Sequence, residues 1–254
     1  MIVRSLAAAA KLGFMILLAQ SLPAGAAEIK VLSGVAIGPA VKELGAQFER
    51  TTGHKLVMQF GSLGELKRQI DNGEIFDVVI VTPALIDDLA KQGKIAADTR
   101  ANFARSGLGV GVRAGSPKPD VSSTDAFKRT LLNAKSVAYA REGAAGLYFV
   151  SLLDRLGIAD DMKGKLKPTD GNPVKAVVSG EAEIVVANIP PILDEPGLEL
   201  AGGLPSELQN YIGFTAALGS AAQSAEPGKA LIGFLTSEGA VPVIKAKGME
   251  TPAR

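Results

Sequence analysis

Ser62 stands in the turn Gly61-Ser62-Leu63-Gly64, after the apolar run 56–60 and before Leu66 and Ile70, which are spaced for one face of a helix. A serine in such a turn can attack as a nucleophile, donate a hydrogen bond to a ligand, or fold back as an N-cap onto the amides of Gly64 or Glu65. The first role needs Gly-x-Ser-x-Gly and a histidine base. The spacing around Ser62 is different, and the single histidine, His54, follows Gly53 at a helix end. There it is expected to cap the helix dipole or to face solvent. The ligand and cap roles both remain open for Ser62.

Other groupings that carry chemistry elsewhere fail on spacing. Gly228-Lys229 is followed by Ala230 and preceded by Gln223 where a phosphate loop needs glycine. Gly107, Gly109 and Gly111 alternate, but Val112 stands where a dinucleotide loop has its third glycine. Asp87-Asp88 and Asp160-Asp161 are neighbours along a helix, do not share a face, and are expected to be solvated. There is no cysteine, which excludes disulfides, thiolate metal sites and cysteine nucleophiles, and one histidine excludes multi-histidine metal sites. No metal and no cofactor are expected.

Three stretches of small residues remain: 33–38, 61–64 and 143–146. Each falls where a strand should turn into a helix. A helix N-terminus carries unpaired N–H groups and the positive end of a dipole, and small side chains let a ligand reach them. Glycine also simply permits a tight turn. Three such turns in two halves of one chain favour a ligand held between them, which marks Gly34 and Val35 along with Ser62.

The elements that must position these turns follow from periodicity. The run 29–32 is a strand, and Ile37, Val41, Leu44 and Phe48 recur at helical spacing up to Gly53. The runs 56–60 and 76–81 are further strands, the second nearly all apolar as in a sheet buried on both faces. Pro83 opens a helix that stops at Gly93. This βαβαβα order predicts parallel strands with right-handed crossovers. Beyond it, 108–112, 136–139, 183–187 and 213–218 are expected as strands, 147–156 and 173–178 as helices, and 230–247 as two helices around Gly239.

The chain has 254 residues, 47% of them hydrophobic, which suits one large domain or two small lobes. Residues 1–27 read as a cleavable secretory signal: Arg4 and Lys11, the short apolar core 12–19, then the small-residue site Ala24-Gly25-Ala26. The core is too short to anchor in a membrane, which takes roughly 20 apolar residues. Without the first 26 residues, which hold Arg4 and Lys11 and no acid, 25 basic side chains face 26 acidic ones. That balance offers no broad footprint for nucleic acid. Aromatic residues are 5% and tryptophan is absent, so base-stacking platforms are not expected. Export argues against ATP- and NAD-dependent enzymes.

The run 31–40, Phe48-Glu49 with Gly53, Phe60-Gly61-Ser62, and 70–81 together resemble the periplasmic molybdate-binding proteins of ABC importers. The likeness continues through Ala144-Ala145-Gly146-Leu147-Tyr148, Gly180-Glu181-Ala182-Glu183-Ile184 and 230–248, covering nearly all of the mature chain. It implies the type II periplasmic binding fold: two α/β lobes, each a mainly parallel sheet flanked by helices, with the ligand in the cleft between them. The lobes are expected at 28–105 with 212–254, and at 106–211. It also implies a periplasmic, monomeric protein that makes and breaks no bond, with a small-molecule solute and an importer permease as partners.

Carrying the family's contacts over residue by residue, its first-turn serine falls on Ala36. The second of its paired serines falls on Leu63, beside the retained Ser62. Its late tyrosine falls on Asn188, a backbone contact falls on Ala145, and another falls near Asp170. A buried tetrahedral dianion needs its oxygens matched by donors. Two hydroxyls and a phenol are missing, and a carboxylate at Asp170 would repel it. A small organic anion is therefore the expected solute, molybdate itself the alternative, and a secreted α/β hydrolase the rival from another class.

Overall fold

The structure, a computed structural model, describes residues 25–252. The expected export segment lies outside the described residues up to residue 24. The first sheet is laid down by β1 (Glu28–Gly34), α1 (Gly38–Thr52), β2 (Lys55–Gly61), α2 (Leu63–Asp71), β3 (Val78–Val81) and α3 (Pro83–Lys91). A single 3-10 turn, Val35–Ile37, joins β1 to α1. All four residues of β3 are buried, as its apolar run predicts. Helix α1 turns Val41, Leu44 and Phe48 inward and ends at Gly53, whose φ of 77° lets its N–H close on the Glu49 carbonyl. The left-handed glycine caps α1, so His54 is not needed there. Its Nδ1 accepts the N–H of Ala27 and its ring stacks on Phe48.

The long β4 (Ile95–Ser106) leads out of this sheet, and after Gly107 the chain enters the second with β5 (Leu108–Arg113). There follow α4 (Thr124–Asn133), β6 (Val137–Ala140), α5 (Ala144–Arg155), α6 (Ala159–Met162), β7 (Leu166–Thr169), α7 (Val174–Ser179), β8 (Ile184–Asn188), α8 (Ile189–Asp194) and β9 (Leu198–Gly203). Residues 204–211 return the chain to the first sheet, where β10 (Ile212–Gly219), α9 (Ala225–Leu235), α10 (Val241–Ala246) and β11 (Met249–Glu250) complete it. The side chain of Gln209 ties the two crossings together. Its amide accepts from the Leu108 N–H at 2.8 Å and donates to the Leu108 carbonyl at 3.0 Å.

The first sheet runs β11-β4-β10-β3-β1-β2 and the second β7-β6-β8-β5-β9. Both are mixed. Three neighbouring strands in each are parallel (β2, β1, β3 and β7, β6, β8), and the strand by which the chain enters each sheet after a crossing, β10 in the first and β5 in the second, runs antiparallel to its neighbours on both sides. A chain that crosses from the cleft side must run its first strand backwards, away from the cleft. In both sheets the order reverses at one strand: β1 lies between β2 and β3, and β6 between β7 and β8. The carboxyl ends of such strands leave a crevice where the helices diverge to opposite faces. The two crevices face each other.

Buried Asp77 braces the first sheet. Its carboxylate accepts the Lys30 N–H at 2.8 Å and the Ser224 N–H at 2.7 Å, tying β3, β1 and the start of α9 together. The adjacent carboxylates Asp87 and Asp88 are paired, not merely solvated: Asp87 with Arg100 at 2.8 Å and Asp88 with Lys67 at 3.0 Å.

Candidate ligand-binding cleft

A cavity lies between the two sheets. It is lined from the first by Gly34, Val35, Ala36, Ser62, Leu63 and Thr82, and from the second by Ala145, Asn172 and Asn188, among others. Its volume is about 60 Å³. Every polar wall residue sits where a strand ends and a helix begins. Ser62 is the N-cap of α2, Thr82 of α3 and Asn188 of α8, while Ala144, Ala145 and Gly146 form the first turn of α5. The cap of α5 is Gly143, which offers no side chain, so the first-turn N–H groups of α5 are left to the cavity.

Among the described residues no charged or titratable side chain lines this space. The helix ends bring positive potential to it, each worth up to about half an elementary charge. Val35, Leu63, Val186, Pro191, Ile212 and Phe214 make the rest of the wall apolar.

Three side chains supply hydrogen bonds. Ser62 is 9% exposed, and its Oγ accepts the Glu65 N–H at 3.2 Å. That bond uses a lone pair and leaves the hydroxyl proton to give, so the cap and ligand roles do not compete. Thr82 is 8% exposed and does not cap α3 with its side chain. The carboxamide of Asn188, 7% exposed, has a buried Oδ1 with no partner among the described residues.

Of the residues singled out from sequence, Gly34, Val35, Ala36, Ser62, Leu63, Ala145 and Asn188 line this cavity. Asp170 does not. Its side chain is 84% exposed and pairs with Arg141 at 3.1 Å. The turn after β7 carries it outward, and the wall there is made by Gly171, Asn172 and Pro173. The feared repulsion between Asp170 and an anion is thereby removed. Thr82 and Asn172 were missed. The signal for Thr82 was available: a hydroxyl between an all-apolar strand and a helix-opening proline marks an N-cap at a strand's carboxyl end. Asn172 closes an Asx turn onto the Val174 N–H at 3.3 Å, a local feature that composition does not disclose.

The sequence profile of the bacterial extracellular solute-binding proteins matches residues 29–250. The chain belongs to this family. A solute-binding protein needs the arrangement just described, a cleft at facing switch points with donors converging on it. Among its relatives is an aconitate isomerase of Pseudomonas sp., 33% identical over 87% of each chain. Another is the molybdate-binding protein ModA of Azotobacter vinelandii, 29% identical over 89% of this chain and 90% of that one. The solved periplasmic molybdate-binding protein of Azotobacter vinelandii superposes with a TM-score of 0.77, covering 89% of this chain and all of the other at 21% identity. The two-lobed type II fold is common to both.

Proposed function

We propose that this solute-binding protein captures a small organic carboxylate in the cleft and delivers it to the permease of an ABC importer. It acts in the periplasm as a monomer after its leader is removed. The observation that carries this reading is the convergence of helix N-termini on a cavity with no charged wall residue. N–H groups and positive dipole ends stabilise an anion without a counter-charge. Ser62, Thr82 and Asn188 orient it, with the backbone of Gly34, Val35 and Ala145 closing around it. The apolar wall, with Ala36 and Leu63 where molybdate-binding relatives are expected to present hydroxyls, suits a carbon skeleton better than a fourth oxygen. Opening and closing about the crossings at Gly107 and 204–211 would admit and release the solute.

Thermal melts of the mature chain with small organic acids and with molybdate test this. A bound carboxylate at a hundred times its dissociation constant adds about 2.7 kcal/mol, while micromolar molybdate is expected to leave the melt unchanged. Stabilisation by molybdate and by no carboxylate would overturn the reading.

The relative named aconitate isomerase brings a second reading, catalysis on a tricarboxylate. Moving a double bond by proton transfer needs a base at the reacting carbon. The cavity wall offers hydroxyls and carboxamides, none of them basic. Binding without turnover is therefore favoured. Following cis- and trans-aconitate with the protein by NMR decides it: steady interconversion would make this chain an enzyme.

A further inference from the structure

Asn188 makes no side-chain hydrogen bond to any described residue, at either end of its carboxamide, although it is more than nine-tenths buried and lines the cavity. A buried carboxamide left unmatched is costly, and its oxygen in particular lies out of reach of solvent. No described polar group of the wall reaches its oxygen. Ser62, Thr82 and Asn172 keep their own donors for the solute.

A carboxamide presents an acceptor and a donor side by side. As placed, the unmatched buried atom is the oxygen, which takes a donor. The complement of the carboxamide is therefore a group with a donor and an acceptor on neighbouring atoms. A fully deprotonated oxyanion such as molybdate, tungstate or sulfate has acceptors only. A plain carboxylate has the same lack. Yet the N-termini of α2 and α5 on either side of the cavity call for an anion. The smallest organic group that meets both demands is a carboxylate with a hydroxyl on the adjoining carbon. Its carbon skeleton also suits a cavity with an apolar side.

Resting on the organic-acid reading above, we infer that the solute is a hydroxycarboxylate, and that Asn188 is the residue that selects its hydroxyl. The anionic end lies at the helix N-termini with Ser62 and Thr82, and the hydroxyl donates to Asn188 Oδ1.

Matched pairs differing only in that hydroxyl provide the test: glycolate with acetate, L-malate with succinate, and citrate with propane-1,2,3-tricarboxylate. Each is titrated calorimetrically into the mature chain, with molybdate and inorganic phosphate alongside. In at least one pair the hydroxy acid is expected to bind roughly ten- to a hundredfold more tightly than its deoxy partner. In Asn188→Leu the same pair should differ by less than about threefold, because the group that reads the hydroxyl is gone. If that variant fails to fold, the wild-type pairs still decide. Equal binding of both members in every pair that binds overturns the hydroxyl assignment and leaves the organic-acid reading standing. Binding of phosphate or molybdate with no carboxylate binding overturns both, as does binding of no probe at all.

Discussion

Ser62 shows how one hydroxyl can serve the fold and the cleft together. Its lone pair closes the first turn of α2 on the Glu65 N–H, and its proton remains to be given. Ser62→Ala should therefore cost on two counts. The empty protein should lose about 1 kcal/mol, the value of a cap, read as a lower melting temperature. Affinity for the carboxylate that binds should fall roughly ten- to a hundredfold, since a donor to a charged group is worth about 1.5–3 kcal/mol. Loss of stability with unchanged affinity would leave Ser62 a cap only. The wall chemistry makes a second prediction. No lining group titrates, so between pH 6 and 9 the affinity for a fully ionised acid should stay within about twofold by calorimetry. A steep pH dependence would require a titrating group that the cavity does not contain. At this scale the sequence was legible where a residue sits in a turn it helps to define, as for Gly34, Ser62 and Ala145. It was not legible where a one-residue change of direction decides whether a side chain faces the cleft. Asp170 and Asn172 straddle such a point, and only the path of the chain after β7 tells them apart.

The elements explain why the small-residue turns look alike and differ in purpose. Gly143 caps α5 with a φ of −87°, which any residue can adopt, so it serves there by lacking a side chain. Gly146 has a steric reason. A Cβ on it would lie 1.7 Å from the Ala140 carbonyl oxygen, because the first turn of α5 is pressed against the end of β6. Backbone cannot yield as a side chain can. Gly146→Ala should lower stability by about 1–3 kcal/mol or more, visible in a urea midpoint, and should weaken solute binding by displacing Ala145. A variant as stable as the parent would show that α5 slides freely along β6. Periodicity found the helices of the βαβαβα half because their apolar stripes are wide and end at glycine, as α1 does at Gly53. It missed β4. That twelve-residue strand exposes Ala97, Asp98 and Arg100 and buries only Ile95 in its first half, so it lacks the continuous β-branched run of β3. Its two partners, β10 and β11, both come from the far end of the chain, a pairing that no local pattern announces.

On the binding function proposed above, the two halves of the molecule move against each other yet remain one fold, and charged pairs between them bear on that motion. Lys247 lies between Glu43 of α1 and Asp194 of α8, at 3.2 Å from each. Burial pulls its pKa down, but the hydrogen bonds its ammonium donates to both carboxylates outweigh this and hold it above the ordinary lysine value, so it stays charged at neutral pH. Arg68 is different. It projects from α2 and meets Glu142, beside the first turn of α5, at 3.2 Å, so the pair spans the two walls of the cleft. Its members are 63% and 44% exposed, and an exposed pair contributes no more than about 1 kcal/mol. It can exist only while the walls are close. Arg68→Ala should therefore leave the melting temperature of the empty, open protein nearly unchanged while lowering solute affinity by up to about fivefold, chiefly through faster release. Raising salt from 0.05 to 0.5 M should weaken binding in the parent and remove most of the difference between parent and variant, because screening acts on a pair at the surface. Glu142→Gln should reproduce the effect, and combining it with Arg68→Ala should add nothing further, since either change alone already breaks the pair. Additive losses in the double variant would mean that each side chain acts on the solute separately and that nothing links the two walls at this point.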